Sequence, residues 1–264
     1  MSRISFDVTP STILPEPEDP FGFDLDRTAF FFDFDGTLAD IVDEPWDVRL
    51  EARVRDDLSN LSHAVGGALA IVSGRPIADL VNFLAPLQLP LAGVHGLERR
   101  SAEGVVTRGE IDPEPIMRAT SLVEGFANAH EGLIAERKRG SVSLHYRRNP
   151  ALEDKCLALA AEIADADPRL KLLFGKMVVE IKTGNVTKAD AIADFMSIAP
   201  FAGRRPVFAG DDLTDEDGFR VLAKWDGVSI KIGQGPTFAN RRVDTIAAFR
   251  SWLGRMADRC VSQA

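Results

Sequence analysis

Apolar positions along the chain follow two different patterns. In the first and last thirds they form short uninterrupted runs: Ala29-Phe30-Phe31-Phe32, Ala68-Leu69-Ala70-Ile71-Val72, Leu91-Ala92-Gly93-Val94 and Pro206-Val207-Phe208-Ala209. Such runs predict strands buried on both faces, as in a parallel sheet covered by helices. A further strand is predicted over Val228 to Ile232. Helical spacing separates them: Glu51 to Val65, with Val54, Leu58 and Leu61 on one face; a helix opened by Pro76 that carries Ile77, Leu80 and Leu84; Val186 to Ile198; a helix ending near Trp225; and Thr245 to Met256, with Asp244 placed to cap it.

From Ser101 to Lys182 the pattern changes. Polar and apolar residues alternate in Ile134 to Lys138, Ser141 to Arg147 and Lys176 to Lys182, and helices are predicted over Pro113 to Ala129 and Pro150 to Ala166. A period of two gives a sheet with one apolar and one polar face, as in a half-exposed antiparallel sheet. The chain therefore reads as α/β, with a parallel-sheet core formed by 24–100 and 183–264 and a smaller α/β domain inserted at 101–182. Residues 1–23 carry four prolines and no periodicity, and read as a loosely held arm.

The polar residues that end the apolar runs change this from a fold to a candidate site. The triple phenylalanine leads into Asp33-Phe34-Asp35-Gly36. A buried carboxylate requires a compensating partner, so two of them at the end of a core strand call for a cation, a hydrogen-bond network or a catalytic use. In open α/β sheets, ligands bind beyond the carboxyl ends of the strands. The second run ends in Ser73-Gly74-Arg75, where a hydroxyl and backbone N–H groups next to a helix start suit either a plain cap or a phosphate. The third ends in His95-Gly96. Lys188 falls in the first turn of a helix, against the dipole; an anionic partner or simple exposure accounts for it. The fourth run ends in Gly210-Asp211-Asp212-Leu213-Thr214-Asp215-Glu216-Asp217, whose dense oxygen donors suit Mg²⁺.

In the insert, one polar face carries Glu136 and Lys138, a second Ser141, Ser143, His145 and Arg147, and a third Lys176, Glu180 and Lys182. Glu and His match sugar hydroxyls, Lys and Arg match phosphate oxygens, and a solvated face accounts for the same pattern. Composition narrows the partners. A net charge of −9 argues against nucleic acid, whose backbone recruits basic surfaces. No stretch reaches membrane-spanning length and no signal-peptide pattern is found, so a cytoplasmic location is expected. Two cysteines, Cys156 and Cys260, are too few for a disulfide framework.

The four features Asp33-x-Asp35-Gly-Thr-Leu, Ser73-Gly-Arg75, Lys188 and Gly-Asp211-Asp-x-Thr-Asp215-Glu match, in order, the motifs of the haloacid dehalogenase-like phosphohydrolases, which this chain resembles. Within them it resembles the trehalose-6-phosphate phosphatase branch, through Gly93-Val94-His95-Gly96, Glu136-x-Lys138, Leu144-His145-Tyr146-Arg147, Gly175-Lys176, Val179-Glu180-Ile181-Lys182 and Gly210 to Glu216. Ala189 stands where that branch often has glycine. The resemblance implies a Rossmann-like hydrolase core with a cap domain that closes over it. Asp33 is then the nucleophile and Asp35 the acid and base, its pKa raised by its surroundings. Mg²⁺ lies between the Asp33 carboxylate, the Asp35 carbonyl and Asp211, supported by Asp215 or Asp212. Ser73 and Lys188 hold the phosphoryl oxygens. Arg75, His95, Glu136, Lys138, His145, Arg147, Lys176 and Glu180 bind the sugar phosphate, and a trehalose-6-phosphate synthase is a functional companion. A phosphatase for another sugar phosphate, a silent sugar-phosphate-binding domain and a phosphotransferase stay open as alternatives.

Overall fold

The computed structural model of the protein describes Thr12, Ile13 and residues 24–262, with side chains over 24–260. The arm expected over 1–23 lies outside the described residues except for β1 (Thr12–Ile13), which pairs in parallel with Arg241 and Arg242. The triple phenylalanine lies in β2 (Thr28–Phe32), buried along its whole length. Alternate side chains point to opposite faces. Phe31 packs on one side, with ring centroids 6.1 Å from Phe195 and 5.4 Å from Phe201. Phe32 meets Phe249 edge-on at 5.7 Å on the other. A strand with a covered layer on each face explains why the run is apolar throughout.

After β2 come α1 (Ala52–Ala64), β3 (Leu69–Val72), α2 (Ile77–Leu84), β4 (Leu91–Gly93), β5 (Glu98–Arg100) and β6 (Val106–Arg108). The insert contributes α3 (Pro113–Asn128), β7 (Ile134–Lys138), β8 (Ser141–His145), α4 (Glu153–Asp165), β9 (Leu170–Gly175) and β10 (Val178–Thr183). The chain then adds α5 (Lys188–Phe195), β11 (Arg205–Gly210), α6 (Glu216–Val221), β12 (Val228–Ile232), β13 (Arg241–Val243) and α7 (Ile246–Ser262).

The large sheet runs β1-β13-β12-β11-β2-β3-β4-β5-β6 among the described residues. Its strands are parallel from β1 to β4, and β5 lies antiparallel to β4. This is the expected Rossmann-like arrangement. From β2 the chain builds outward to β3 and β4, then returns to build β11, β12 and β13 on the other side. The β2–β11 boundary is thus the point where strand order reverses, and the crevice at the strands' carboxyl ends is formed there.

The described residues fall into two compact units, those up to 107 with 187–211 and 215–262 on one hand, and 108–186 with 212–214 on the other. β6 extends the large sheet beyond residue 100, where the sequence pattern placed the start of the insert. The insert has its own antiparallel sheet, β7-β8-β10-β9. Its apolar face, with Val142, Leu144, Tyr146, Val179 and Ile181, packs on Ile116, Val123, Cys156 and Ile163 of the helices as a second core. The strand expected over Lys176 to Lys182 begins two residues later. Gly175 pairs with Val178, so Lys176 and Met177 form a tight hairpin loop, with Met177 at φ +60. The cap of α7 is Thr245, whose Oγ1 accepts the Ala248 N–H at 3.1 Å, while Asp244 accepts from Gln234. Among the described residues no helix is long and apolar enough to cross a membrane.

Candidate active site

The acids at the ends of β2 and β11 are brought together by register. Phe32 pairs with Ala209, and the Asp33 N–H donates to the Ala209 carbonyl at 2.9 Å, so the pairing continues up to the first acid. Asp211 follows one residue after Gly210 ends β11. Gly36 turns the chain at φ +78, and a Cβ there would stand 2.2 Å from the Asp211 carboxylate. No other residue leaves room for that approach.

Lys188, the first residue of α5, reaches into this crevice. Its Nζ donates to Asp33 Oδ1 and to Asp215 Oδ1, each at 2.7 Å. The second oxygen of Asp215 accepts the Asp211 N–H at 3.0 Å. Asp33, Lys188, Asp211 and Asp215 are all at most 4% exposed. Carboxylate oxygens of Asp33, Asp211 and Asp215 lie within 4.8 Å of one another. Burial drives the Asp33 pKa well above the usual carboxylate range; the Lys188 charge opposes this, and Asp215 and Asp211 reinforce it. Burial also works against charge on Lys188, but Asp215 and Asp33 outweigh it and hold the ammonium above its ordinary value.

A second lysine lies behind the first. Lys231 of β12 donates to the Asp211 carbonyl at 2.6 Å and lies 3.8 Å from Glu216 Oε1. Glu216 in turn accepts the Phe238 N–H at 2.7 Å, and burial raises its pKa. The cluster therefore holds four buried carboxylates against two buried ammonium groups. Carboxyl groups thus outnumber ammonium groups here, and carboxylate oxygens are the donor type that Mg²⁺ takes. Asp33, Asp211 and Asp215 fit such an ion.

Asp35 leaves this cluster. Its two carboxylate oxygens are held by Arg75, from Nε and Nη2, each at 2.7 Å. The third side of the guanidinium donates to the Pro45 carbonyl at 2.7 Å, and its Cζ lies 5.0 Å from the Phe83 ring centroid. Arg75, expected among the substrate-binding groups, directs its guanidinium to Asp35 and to the Pro45 carbonyl. Ser73 is buried, and its Oγ accepts the Arg75 N–H at 3.2 Å. The first N–H of α2, on Ile77, goes to Glu98 Oε2 at 3.0 Å, so Glu98 rather than Ser73 satisfies the helix start. His95, also expected at the substrate, is buried with its ring against Gly74.

The insert forms a second polar cluster. Register aligns Glu136, Ser143 and Glu180 in one row across β7, β8 and β10, and Lys138, Ser141 and Lys182 in the next. Serines on the middle strand leave a trough between the longer flanking groups. Lys138 Nζ donates to Glu180 Oε2 at 3.1 Å and Ser143 Oγ donates to the same oxygen at 2.9 Å. His145 Nε2 lies 2.8 Å from Glu136 Oε2. Arg147 Nη2 donates to the carbonyl of Lys176 at 2.7 Å. Glu136, Lys138, His145 and Glu180 thus form one group, while Arg147 and Lys176 pair beside it at the hairpin. Lys182 donates to the Val186 carbonyl.

Glu98 and Lys231 were not anticipated as site residues, and Ser143 and Glu216 were noted only as members of a polar face and of an acidic run. A lysine inside the otherwise apolar β12 was a usable signal, because burying an ammonium requires an acceptor. Nothing around Glu98 marks it.

Residues 31–247 match the family model described as trehalose-phosphatase. The chain is 43% identical over 228 residues, covering 86% of it, to the trehalose-6-phosphate phosphatase of Escherichia coli (strain K12), of which 85% is covered. The fold is similar to that of the C. albicans trehalose-6-phosphate phosphatase C-terminal domain, with a TM-score of 0.80 at 21% identity over 88% of this chain and 92% of that one. It is similar also to a haloacid dehalogenase-like hydrolase from Bacteroides thetaiotaomicron, with a TM-score of 0.64 at 14% identity over 88% and 98%. The register that brings Asp33 to Asp211, the lysine shared by Asp33 and Asp215 and these matches agree: the chain belongs to the trehalose-phosphatase family, phosphoric monoester hydrolases.

Proposed function

We propose that the protein hydrolyses trehalose 6-phosphate to trehalose and phosphate through an aspartyl-phosphate on Asp33, with Mg²⁺ held by Asp33, Asp211, Asp215 and the Asp35 backbone carbonyl. The observation that carries this is the buried Lys188 shared at 2.7 Å between Asp33 and Asp215. Lys188 holds Oδ1 of Asp33 and thereby aims the second oxygen at the substrate. That oxygen attacks phosphorus while the bond from phosphorus to the sugar oxygen breaks, and the sugar oxygen takes a proton from Asp35. Asp35 next removes a proton from a water molecule whose oxygen attacks the phosphorus, the bond to Asp33 breaks, and phosphate leaves. Arg75 donates once to each Asp35 oxygen, and each oxygen keeps a second lone pair that can carry the proton.

Bound Mg²⁺ supplies charge neutralisation for the phosphoryl oxygens. Lys188 and the Ser73 hydroxyl bind the same oxygens from the protein. Positioning and electrostatic stabilisation of this kind carry most of the catalysis in phosphoryl transfer. Glu136, Lys138, His145, Arg147, Lys176 and Glu180 recognise the sugar hydroxyls, the carboxylates as acceptors and the cations as donors. The enzyme works in the cytoplasm beside a synthase that makes its substrate.

The test is phosphate release from trehalose 6-phosphate, glucose 6-phosphate and sucrose 6-phosphate, with and without Mg²⁺, and with Asp33→Asn as control. Selective, metal-dependent release that the variant abolishes supports the reading. Release from the other two sugars alone discards the substrate and keeps the mechanism. No release from any of them overturns both.

A further inference from the structure

The turn that follows β4 is strained in a way that joining two strands does not require. Val94 takes φ +47 and His95 φ +55. Left-handed backbone is disfavoured for any residue with a side chain and most of all for a β-branched one. Such strain persists where the surroundings over-determine it, and it concentrates at functional sites.

The turn gains an unusually close approach to the segment that carries Ser73 and Arg75. The Val94 N–H donates to the Arg75 carbonyl and the His95 N–H to the Ser73 carbonyl, each at 2.9 Å. The Ser73 N–H donates back to the Ala92 carbonyl at 2.8 Å. Just past the turn, the buried Glu98 carboxylate accepts the Ile77 N–H. Two glycines permit this contact, one on each segment. A Cβ on Gly93 would stand 2.7 Å from the Arg75 carbonyl oxygen and 2.9 Å from the Ile77 nitrogen. A Cβ on Gly74 would stand 2.7 Å from both Cε1 and Nε2 of His95. The imidazole therefore lies directly on the backbone between Ser73 and Arg75, and only 8% of His95 is exposed.

We propose that the strained turn Gly93–Gly96, with the His95 ring as its wedge and Glu98 as its anchor, is a buckle that fixes the segment 73–77, so that His95 and Glu98 are positioning residues for the Ser73 hydroxyl and the Arg75 guanidinium. This rests on the reading of Ser73 as a phosphoryl-binding group and of Asp35, the partner of Arg75, as the acid and base. Arg75 meets Asp35 by two 2.7 Å bonds from the end of a loop. A misplacement of about 1 Å at such a distance can reduce turnover by about 100-fold, which gives the buckle its purpose.

The experiment compares wild type with His95→Ala, His95→Asn, Gly74→Ala and the double variant Gly74→Ala/His95→Ala. Amide hydrogen exchange of residues 73–77 and 94–95, thermal unfolding, kcat and KM for trehalose 6-phosphate and inhibition by inorganic phosphate are read for each. His95→Ala is expected to speed exchange at His95 and Ile77 and to weaken phosphate inhibition by about tenfold or more, as a displaced binding group does. Gly74→Ala is expected to lose more, because its methyl meets the ring, and the double variant to recover part of that loss. His95→Asn keeps a residue that tolerates left-handed backbone, so it folds even if the alanine variant does not, and it is expected to show the same faster exchange. Unchanged exchange in both His95 variants overturns the buckle, as does a double variant no better than Gly74→Ala. The exchange measurement does not depend on substrate. Absence of wild-type phosphate release therefore overturns the phosphatase reading alone, and the exchange result still decides the buckle.

Discussion

Lys188→Met is the most informative single perturbation of the cluster. The ammonium is 2% exposed and makes two 2.7 Å contacts, to Asp33 and Asp215. Methionine nearly conserves length and volume, so the change removes charge with little cavity. Two buried carboxylates then lose their shared counter-charge, and breaking a buried pair from one side costs about 3–5 kcal/mol. The loss is expected at the upper end of that range, because one ammonium serves two acids. Urea denaturation at neutral pH without divalent cations measures it. Lys188→Met/Asp215→Asn removes one of the orphaned charges as well, and it is expected to be more stable than Lys188→Met alone, since removing both members of a buried pair is often close to neutral. Mg²⁺ is expected to stabilise Lys188→Met by binding only the folded state, and turnover is expected to fall by roughly 100-fold or more, as when a preorganised electrostatic group is removed. A loss below about 1 kcal/mol, the value typical of exposed pairs, or a double variant no more stable than the single one, would refute the claim that these charges are held together out of water.

Three further outcomes follow from other parts of the molecule. The chain has one tyrosine, so absorbance at 295 nm titrates Tyr146 alone; burial and the hydrogen bond to Glu153 push its pKa up to about 12. The native midpoint should lie near that value. Because the folded pKa is raised, Tyr146 contributes stability that is complete below the unfolded value of about 10 and lost as pH rises towards 12; a native midpoint near 10 would show the ring to be solvated. Arg75→Lys keeps the charge but loses the two-pronged contact with Asp35, so kcat for trehalose 6-phosphate should fall by roughly tenfold or more, and equal turnover would show that holding Asp35 has no bearing on its chemistry. Glu180→Ala should depress turnover of trehalose 6-phosphate more than that of p-nitrophenyl phosphate, and equal losses on the two would remove Glu180 from sugar recognition.

The elements that were legible in the sequence are those whose signal is local. Three successive phenylalanines can be buried only in a strand covered on both faces, and β2 is that strand. The alternating residues of 141–145 and 178–183 separate a packed face from a polar one as the period of two requires. Lys176 was misplaced because alternation continues through a two-residue hairpin loop without a break in the pattern, and Met177 at φ +60 is not a residue that announces a turn. β5 and β6, at three residues each, are too short for periodicity to speak. The cap of α7 shifted by one residue because Asp244 and Thr245 are both good capping residues, and only the side-chain geometry decides between them.

The resemblance placed Lys188 where it offsets the charge of Asp33, but that Arg75 serves Asp35 was not read from the sequence. Asp33 and Asp35 are separated by one residue, yet Asp33 takes an ammonium from the start of α5 and Asp35 takes a guanidinium from the loop after β3. The need for partners is a local fact, because buried carboxylates are costly alone. The choice of partners is a long-range one, fixed by the order in which β3 and β11 flank β2. That division gives the two acids different capacities. Lys188 engages Oδ1 of Asp33, and in the proposed mechanism the second oxygen is the one that attacks phosphorus. The planar fork of Arg75 engages both oxygens of Asp35 and fixes the orientation of that carboxyl group while leaving each oxygen a further lone pair. Asp33 is held at one oxygen by Lys188 and Asp35 at both by Arg75, so in the proposed mechanism the strand order contributes, with the motif, to setting the nucleophile apart from the proton carrier.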